Sequence, residues 1–436
     1  MKRFLALFLL LVCLPGCQSQ NIPPNEPTAP SQAVATTVEI PQFTAPEPTE
    51  PKESLPAEPI VKEEPAIPSE WVVNGYVSVP MRSYPDGMVT ENIPKDGIVE
   101  LLGWTERYAK IKYNGNEGYV LAGYIMPADE SYFALCLNTV KPTYLYTYWD
   151  MVADVNKLKK QYPTMVSTTS LGTSELGKDI PVLRIGKLDA RYHVLLQGAV
   201  HGREHLTAWL LMAMADYWLA HGILNYGDVC YHIVPMVNPD VVTISQTQAI
   251  NDKLYLIYLS DKNNGYTVKS VSGYAVDWKA NGKGVDINRN FPSGWEQIDD
   301  RDGPSSERYK GVKPFSALEA AALRDYTLAN SFDVTVSYHS SGSIIYYEYG
   351  KKEPVNSQSK ALGQAVNQVS GYRMANSVGV GGAGYKDWAM EELGIPSLTV
   401  EIGSGDSPLN PTESYSTFVR NVGVLPAIAG WLQGET

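Results

Sequence analysis

Hydrophobic positions are spaced differently in successive stretches of this chain, and each spacing predicts a different kind of structure. Between residues 70 and 128, apolar and polar residues alternate in short runs such as Ile98 to Leu102 and Tyr108 to Tyr113, the period-two pattern of half-buried strands. Pro85-Asp86-Gly87, Lys95-Asp96-Gly97 and Asn114-Gly115 punctuate these runs with turn chemistry. A small all-β barrel is expected here. From about Tyr144 onward, helical and strand patterns take turns, which predicts an α/β sheet covered by helices. Tyr148 to Tyr162 carries apolar residues at helical spacing and stops at Pro163, whereas Leu206 to Leu219 is apolar all round and so predicts a buried helix. Ser316-x-x-Glu319 reads as a capping box opening a helix that runs to about Asn330.

Residues 1–69 carry neither pattern. Lys2 and Arg3, the apolar run Phe4 to Leu14 and then Pro15-Gly16-Cys17 form a targeting segment too short to span a bilayer. Leu14-Pro15-Gly16-Cys17 resembles a bacterial lipoprotein signal, which implies cleavage before Cys17, its acylation, and residence on the outer face of the cytoplasmic membrane, held by the lipid anchor alone. Residues 21–69 hold twelve prolines and almost no aromatic residue, a composition that cannot bury enough surface to fold. At about 3 Å per residue, this extended tether would reach roughly 150 Å. The expected boundaries are thus 1–16 for the signal, 17–69 for the lipidated cysteine and tether, 70–128 for the barrel and 129–436 for the α/β domain.

Composition narrows the partners. The formal charge of −12 argues against nucleic acid, which favours a basic face. Half of that excess lies between residues 21 and 69, where eight Glu face two Lys. After processing, only Cys136 and Cys230 remain, too few for a disulfide scaffold, and both are expected to be buried and chemically idle.

The chemistry resides where strands end. Val194 to Val200 leads to His201, Val334 to Tyr338 leads to His339, Leu398 to Val400 leads to Glu401, and Tyr231 to Val237 leads to Asn238-Pro239-Asp240. Open α/β sheets gather their sites beyond the carboxyl ends of the strands, so these side chains are expected in one crevice. Two imidazoles and two carboxylates meeting there suit zinc, with three protein ligands and one open position. His201-Gly202-Arg203-Glu204-His205 offers His201 with Glu204 or with His205. The second pair needs one helix to carry both rings, yet Gly202 marks a strand-to-helix turn, which favours Glu204.

His201-x-Arg203-Glu204, Asn238-Pro239-Asp240, Trp278-Lys279-x-Asn281, Gly284-Val285-Asp286-x-Asn288-Arg289-Asn290-Phe291-Pro292, Tyr338-His339-Ser340 and Thr399-Val400-Glu401-Ile402-Gly403 together resemble the zinc carboxypeptidases of the funnelin type over roughly residues 144 to 433. Gly384-Tyr385-Lys386-Asp387-Trp388 is similar to the bacterial branch that includes γ-D-glutamyl-diaminopimelate peptidases acting on peptidoglycan. The resemblance implies a mixed twisted sheet with helices on both faces. It also implies one Zn²⁺ held by His201, Glu204 and His339, with Glu401 as general base. Arg203 and Lys279 would stabilise the oxyanion, Asn288 and Arg289 would grip a substrate carboxylate, and Asp286 would orient His201. The 70–128 segment resembles a bacterial Src-homology-type barrel, common in cell-wall hydrolases.

Some positions depart from the family pattern. Lys279 stands where digestive carboxypeptidases carry Arg, keeping charge but not the planar fork. Glycine-rich sequence from Ser377 to Gly384 replaces a tyrosine those enzymes carry, and His205 replaces an aromatic residue. Lys386 occupies the specificity position, which predicts an acidic group after the cut. The expected substrate is therefore peptidoglycan or its peptide fragments, cut at the γ-D-glutamyl to diaminopimelate bond. A carboxypeptidase removing C-terminal acidic or other residues, or an inactive wall-binding lipoprotein, are the alternatives.

Overall fold

The computed structural model describes residues 70–73, 78–85, 87–94, 97–104, 108–121, 125–127, 137–141, 145–221, 228–298, 301–350, 352–376 and 382–434. The signal, Cys17, the tether, Cys136 and residues 377–381 of the glycine-rich loop lie outside the described residues.

Seven short strands make up the first sheet: β1 (Glu70–Val73), β2 (Ser78–Arg82), β3 (Val89–Pro94), β4 (Ile98–Trp104), β5 (Tyr108–Tyr113), β6 (Asn116–Leu121) and β7 (Ile125–Pro127). They pair antiparallel in the order β3-β2-β6-β5-β4-β1-β7. Alternation does what it predicts: Val79 and Met81 of β2 and Ala109 and Ile111 of β5 point into a core shared with Ile93, Val99, Val120 and Ile125. The β5–β6 hairpin turns on Asn114 and Gly115, with φ of 48° and 83°, the two positive values that a two-residue type I′ loop requires. Among the described residues, the end strands β3 and β7 do not pair with each other, so this unit is an antiparallel sheet with its own core.

A second sheet carries the chemistry. Its strands are β8 (Val166–Thr173), β9 (Asp179–Ile185), β10 (Tyr192–Gln197), β11 (Val229–Val234), β12 (Val334–Ser340), β13 (Ile344–Tyr346), β14 (Arg373–Ala375) and β15 (Ser397–Ile402), in the order β14-β13-β15-β12-β10-β11-β9-β8. The four central strands, β15, β12, β10 and β11, are parallel, while β9 and β13 run antiparallel beside them. Every residue of β11 and β12 is buried, as parallel strands covered on both faces must be.

Helices supply that cover. One face packs Val194 and Leu196 of β10 against α1 (Tyr148–Gln161), α2 (Leu206–Ala220), α7 (Val355–Ser370), α9 (Ser414–Asn421) and α10 (Val424–Leu432). The other packs Leu195 against α6 (Leu318–Ala329) and the short α8 (Tyr385–Trp388). Three further helices, α3 (Pro239–Thr247), α4 (Asp252–Asn263) and α5 (Val271–Val276), build a satellite core around Trp278. All of α2 up to Leu219 is buried, because a helix without a polar stripe has no side to turn to water. Asp216 inside it accepts from the backbone N–H groups of Thr139 and Val140 at 2.7 and 2.8 Å.

The expected capping box does not form. Helix α6 starts one turn position later, with Ala317 as its cap and no side-chain capping bond. Ser316 is instead bonded by Asn290 Nδ2 at 2.9 Å, and the fully buried Glu319 accepts from Asn281 Nδ2 and from the Glu175 N–H at 2.8 and 3.0 Å. Interior amide donors outcompete a local cap here, since an unpaired buried amide costs more than a lost exposed cap.

Candidate active site

Strand order decides where the site lies. Strand β10 has its sequence successor β11 on one side and β12 on the other, so the chain reverses direction across the sheet at β10. Ligands bind at such switch points, beyond the carboxyl ends of the strands. His201 follows β10, His339 is near the end of β12, and Glu401 is on β15, directly paired with His339 in the parallel register.

After β10 the chain runs into a single 3-10 turn, Gly202–Glu204, before α2 begins. A side chain at Gly202 would sit 2.3 Å from Val241 Cγ1 and 2.5 Å from the Val241 carbonyl carbon, so only glycine lets this turn approach the start of α3. The turn sends Glu204 inward: its Oε1 lies 2.8 Å from His201 Nδ1 and its Oε2 lies 2.9 Å from His339 Nδ1. The two rings are 4.8 Å apart, and one donor atom from each of the three residues falls within 4.8 Å of the others. All three residues are buried. Two imidazole nitrogens and one carboxylate oxygen facing one point form the donor set of a catalytic zinc with a position left for substrate or water. His205, the competing partner for His201, is buried at the start of α2, where desolvation pushes its pKa down to about 4.

Charge in this cluster is balanced within it. Burial works against ionising His201, yet the Glu204 and Asp286 carboxylates raise it to about 9. For His339, burial wins over Glu204 and the pKa falls. Both Glu204 and Asp286 are held well below the usual carboxylate range despite burial, Glu204 by the two imidazoles and Asp286 by His201 and Arg289. Glu401 moves the other way. Burial and the Glu204 charge push it up to about 8, opposed by His201, Lys279 and Arg203.

Asp286 is a hub that the sequence shows only as part of a motif. Its Oδ1 lies 3.3 Å from His201 Nε2 and accepts the Asn288 N–H at 3.1 Å, and its Oδ2 accepts the Arg308 N–H at 2.9 Å. A carboxylate on the far nitrogen keeps Nδ1 as the donor toward the metal. Asp286→Asn, which retains shape but removes charge, is expected to weaken zinc binding about 10–100-fold. Competition with a chelator measures this, and parent-like affinity would show that Asp286 does not orient the ring.

Of the remaining predicted residues, Arg203 and Lys279 are close enough for their charges to act on Glu401, and Arg289 for its charge to act on Asp286. Arg203 is half-buried, its Nε has no hydrogen-bond partner among the described residues, and its backbone N–H donates to the Trp278 carbonyl at 3.2 Å. Lys279 reaches to 4.0 Å from Glu307. Asn288 and Arg289 occupy the 3-10 turn Ile287–Arg289 directly after Asp286. Asn288 Oδ1 accepts the Tyr385 N–H at 3.2 Å, which leaves its NH2 to donate, and Arg289 Nη1 bonds the Asn288 carbonyl at 3.0 Å. Lys386 is buried, with its ammonium 2.8 Å from Asp387 Oδ1 and 2.9 Å from the Glu348 carbonyl. A substrate carboxylate would have to compete with Asp387 for it.

Asn238, which the sequence marks only as the residue that follows a strand, has a structural task of its own. Fully buried, it caps α3 by accepting the Val241 N–H, and its Nδ2 donates to the carbonyls of Val200, Lys279 and Ala280 at 3.3, 3.3 and 3.0 Å. One amide thus ties the end of the His201 strand to the loop that carries Lys279. A buried Asn just after a strand was the available signal.

Comparison with known proteins agrees with this geometry. Residues 151–419 match the zinc carboxypeptidase family. The chain is 32% identical over 303 residues to the γ-D-glutamyl-L-diamino acid endopeptidase 1 of Lysinibacillus sphaericus, covering 65% of this chain and 72% of that protein. This protein belongs to the zinc carboxypeptidase family. Carboxypeptidase B of Astacus astacus is 26% identical over 283 residues, covering 60% of this chain and 86% of that protein. Carboxypeptidase A from Helicoverpa armigera shares the fold, with a TM-score of 0.52 at 23% identity over 67% of this chain and 76% of that one. This zinc carboxypeptidase relative is accordingly a zinc metallopeptidase with a single His-Glu-His catalytic metal centre, and the expectation of an inactive wall-binding protein is set aside.

Proposed function

We propose that the chain acts as a metallocarboxypeptidase, hydrolysing the peptide bond next to a free terminal carboxylate. The observation that carries this reading is the placement of Asn288 and Arg289 in the turn that follows Asp286, which itself touches the ligand His201. A carboxylate gripped there would sit beside the metal centre, with one residue between grip and cut. A planar guanidinium next to an amide NH2 suits that grip.

In this reading, zinc held by His201, Glu204 and His339 supplies Lewis acidity toward the scissile carbonyl and the attacking water. Glu401, beside His339 on the neighbouring strand, takes the proton from that water and hands it to the leaving amine. Arg203 and Lys279, whose charges both act on Glu401, stabilise the oxyanion as it develops.

A second reading is favoured by the relative at 32% identity: the bond cut joins γ-D-glutamate to a diamino acid in a peptidoglycan stem peptide. The N-terminal sequence supports two companion proposals. Lipidation at Cys17 would hold the enzyme on the outer face of the cytoplasmic membrane, and the 70–128 unit, in the manner of a Src-homology-type barrel, would bind the wall.

Three substrates separate the readings when given to the zinc-loaded chain with and without chelator: a stem tripeptide, a stem tetrapeptide and a linear peptide ending in Glu. Chelator-sensitive loss of only the last residue from the linear peptide supports the carboxypeptidase. Release of L-Ala-D-Glu from the stem peptides, with the linear peptide intact, supports the second reading. No chelator-sensitive cleavage of any of them would overturn both. A linear peptide ending in Leu tests the acidic preference expected of Lys386, and equal turnover of the two linear peptides would remove that role.

A further inference from the structure

A second cluster of metal-ligating side chains lies at the opposite end of the same sheet. His193 is the second residue of β10 and Cys230 the second of β11, and the two are direct partners in the parallel register. His232, two residues beyond Cys230, projects to the same face by the pleat. The result is that one donor atom from each of the three lies within 4.8 Å of the others. We propose that His193, Cys230 and His232 form a second metal site, separate from the catalytic centre, for a thiophilic cation of the Zn²⁺ class.

The gap between the rings has the size such an ion needs. His193 Nδ1 and His232 Nε2 are 3.1 Å apart, and two nitrogens on a tetrahedral zinc with Zn–N of about 2.0–2.1 Å are separated by about 3.3 Å. In the absence of metal, one proton serves both nitrogens, because only one of them can donate to the other. The outer nitrogen of His232 is also occupied: Nδ1 lies 2.7 Å from the Tyr326 hydroxyl. When that hydroxyl accepts the Nδ1 proton, Nε2 is left as a bare donor aimed at His193 and Cys230, the same arrangement of outer partner and inner lone pair that metal-binding histidines use.

Cys230 gives the site its selectivity. Its thiol is buried and, among the described residues, pairs with no other cysteine, and burial pushes its pKa up to about 11 while the Arg184 guanidinium pulls the other way. A thiophilic cation binds cysteine as the thiolate, so binding releases the thiol proton to solvent, and the thiolate offsets the repulsion between Arg184 and the incoming cation. A site of one thiolate and two imidazoles selects zinc or copper over magnesium or calcium, whose hard ions require oxygen. His193 is only half-buried and provides the route of entry.

Metal content and a cobalt spectrum test this together. The purified full chain is stripped, reloaded with Zn²⁺ and washed. The parent is expected to retain one more ion per chain than Cys230→Ser and one more than His193→Asn. Loaded with Co²⁺, the parent should show a near-ultraviolet thiolate-to-cobalt charge-transfer band that Cys230→Ser lacks. The catalytic site, which has no thiolate, cannot produce it. If Cys230→Ser fails to fold, His193→Asn at its half-exposed position carries the comparison, and its retained hydrolysis shows that the catalytic centre is intact. Equal metal content in parent and variants, or a cobalt band that persists without Cys230, would overturn the proposal.

Discussion

Glu401→Gln is expected to lower kcat about 10²–10⁴-fold while leaving bound zinc and KM close to the parent values. The amide keeps the size of the carboxylate but cannot take a proton from water or deliver one to the leaving amine. Because Glu401 pairs with His339 across adjacent strands without contributing to the His-Glu-His donor set, its loss should separate chemistry from metal binding. Steady-state kinetics beside metal analysis reads this out. Near-parent kcat in a zinc-loaded Glu401→Gln enzyme would remove Glu401 as the base.

The second large effect concerns the donor set itself. His339→Ala removes one of three ligands, so zinc affinity should fall by more than the roughly 10–100-fold typical of losing an orienting partner, with hydrolysis lost in parallel. Glu204 also loses the His339 partner on its Oε2, where the Ser340 N–H at 3.3 Å remains. Excess zinc should restore activity only at concentrations far above those that saturate the parent. A His339→Ala chain that binds catalytic zinc as tightly as the parent would show that the ion is held elsewhere.

The two effects differ in what they ask of the fold. Removing the base leaves the electrostatic balance of the donor set nearly unchanged, whereas removing a ligand leaves the buried Glu204 charge facing one imidazole instead of two. Circular dichroism of each variant distinguishes lost chemistry from lost structure, and His339→Ala is the one expected to be less stable without metal.

Much of this protein was legible in one dimension because hydrophobic period is a local property. The period-two runs placed Tyr108 to Tyr113 as a strand with the same ends the structure has, and the stripe-free run after His205 became the buried α2. The site was legible for a related reason. Parallel strands buried on both faces leave their carboxyl ends as the place where polar side chains can meet, so His201, His339 and Glu401 were marked by position before any contact was known.

What the tertiary structure decided were partnerships between distant residues. Glu319 looked like a cap from its spacing to Ser316, but Asn281 and Glu175, brought in by other loops, claim its carboxylate. Lys386 looked like an open cation, but Asp387 and the Glu348 carbonyl meet its charge. His193, Cys230 and His232 carry no recognisable motif spacing, and only the register of β10 against β11 brings them to one point. Sequence by itself determined which residues are buried and where strands end, through periodicity and burial. Strand order and register determined which buried polar groups face one another, because an interior group satisfies its hydrogen bonds and charge with whatever the fold brings within reach.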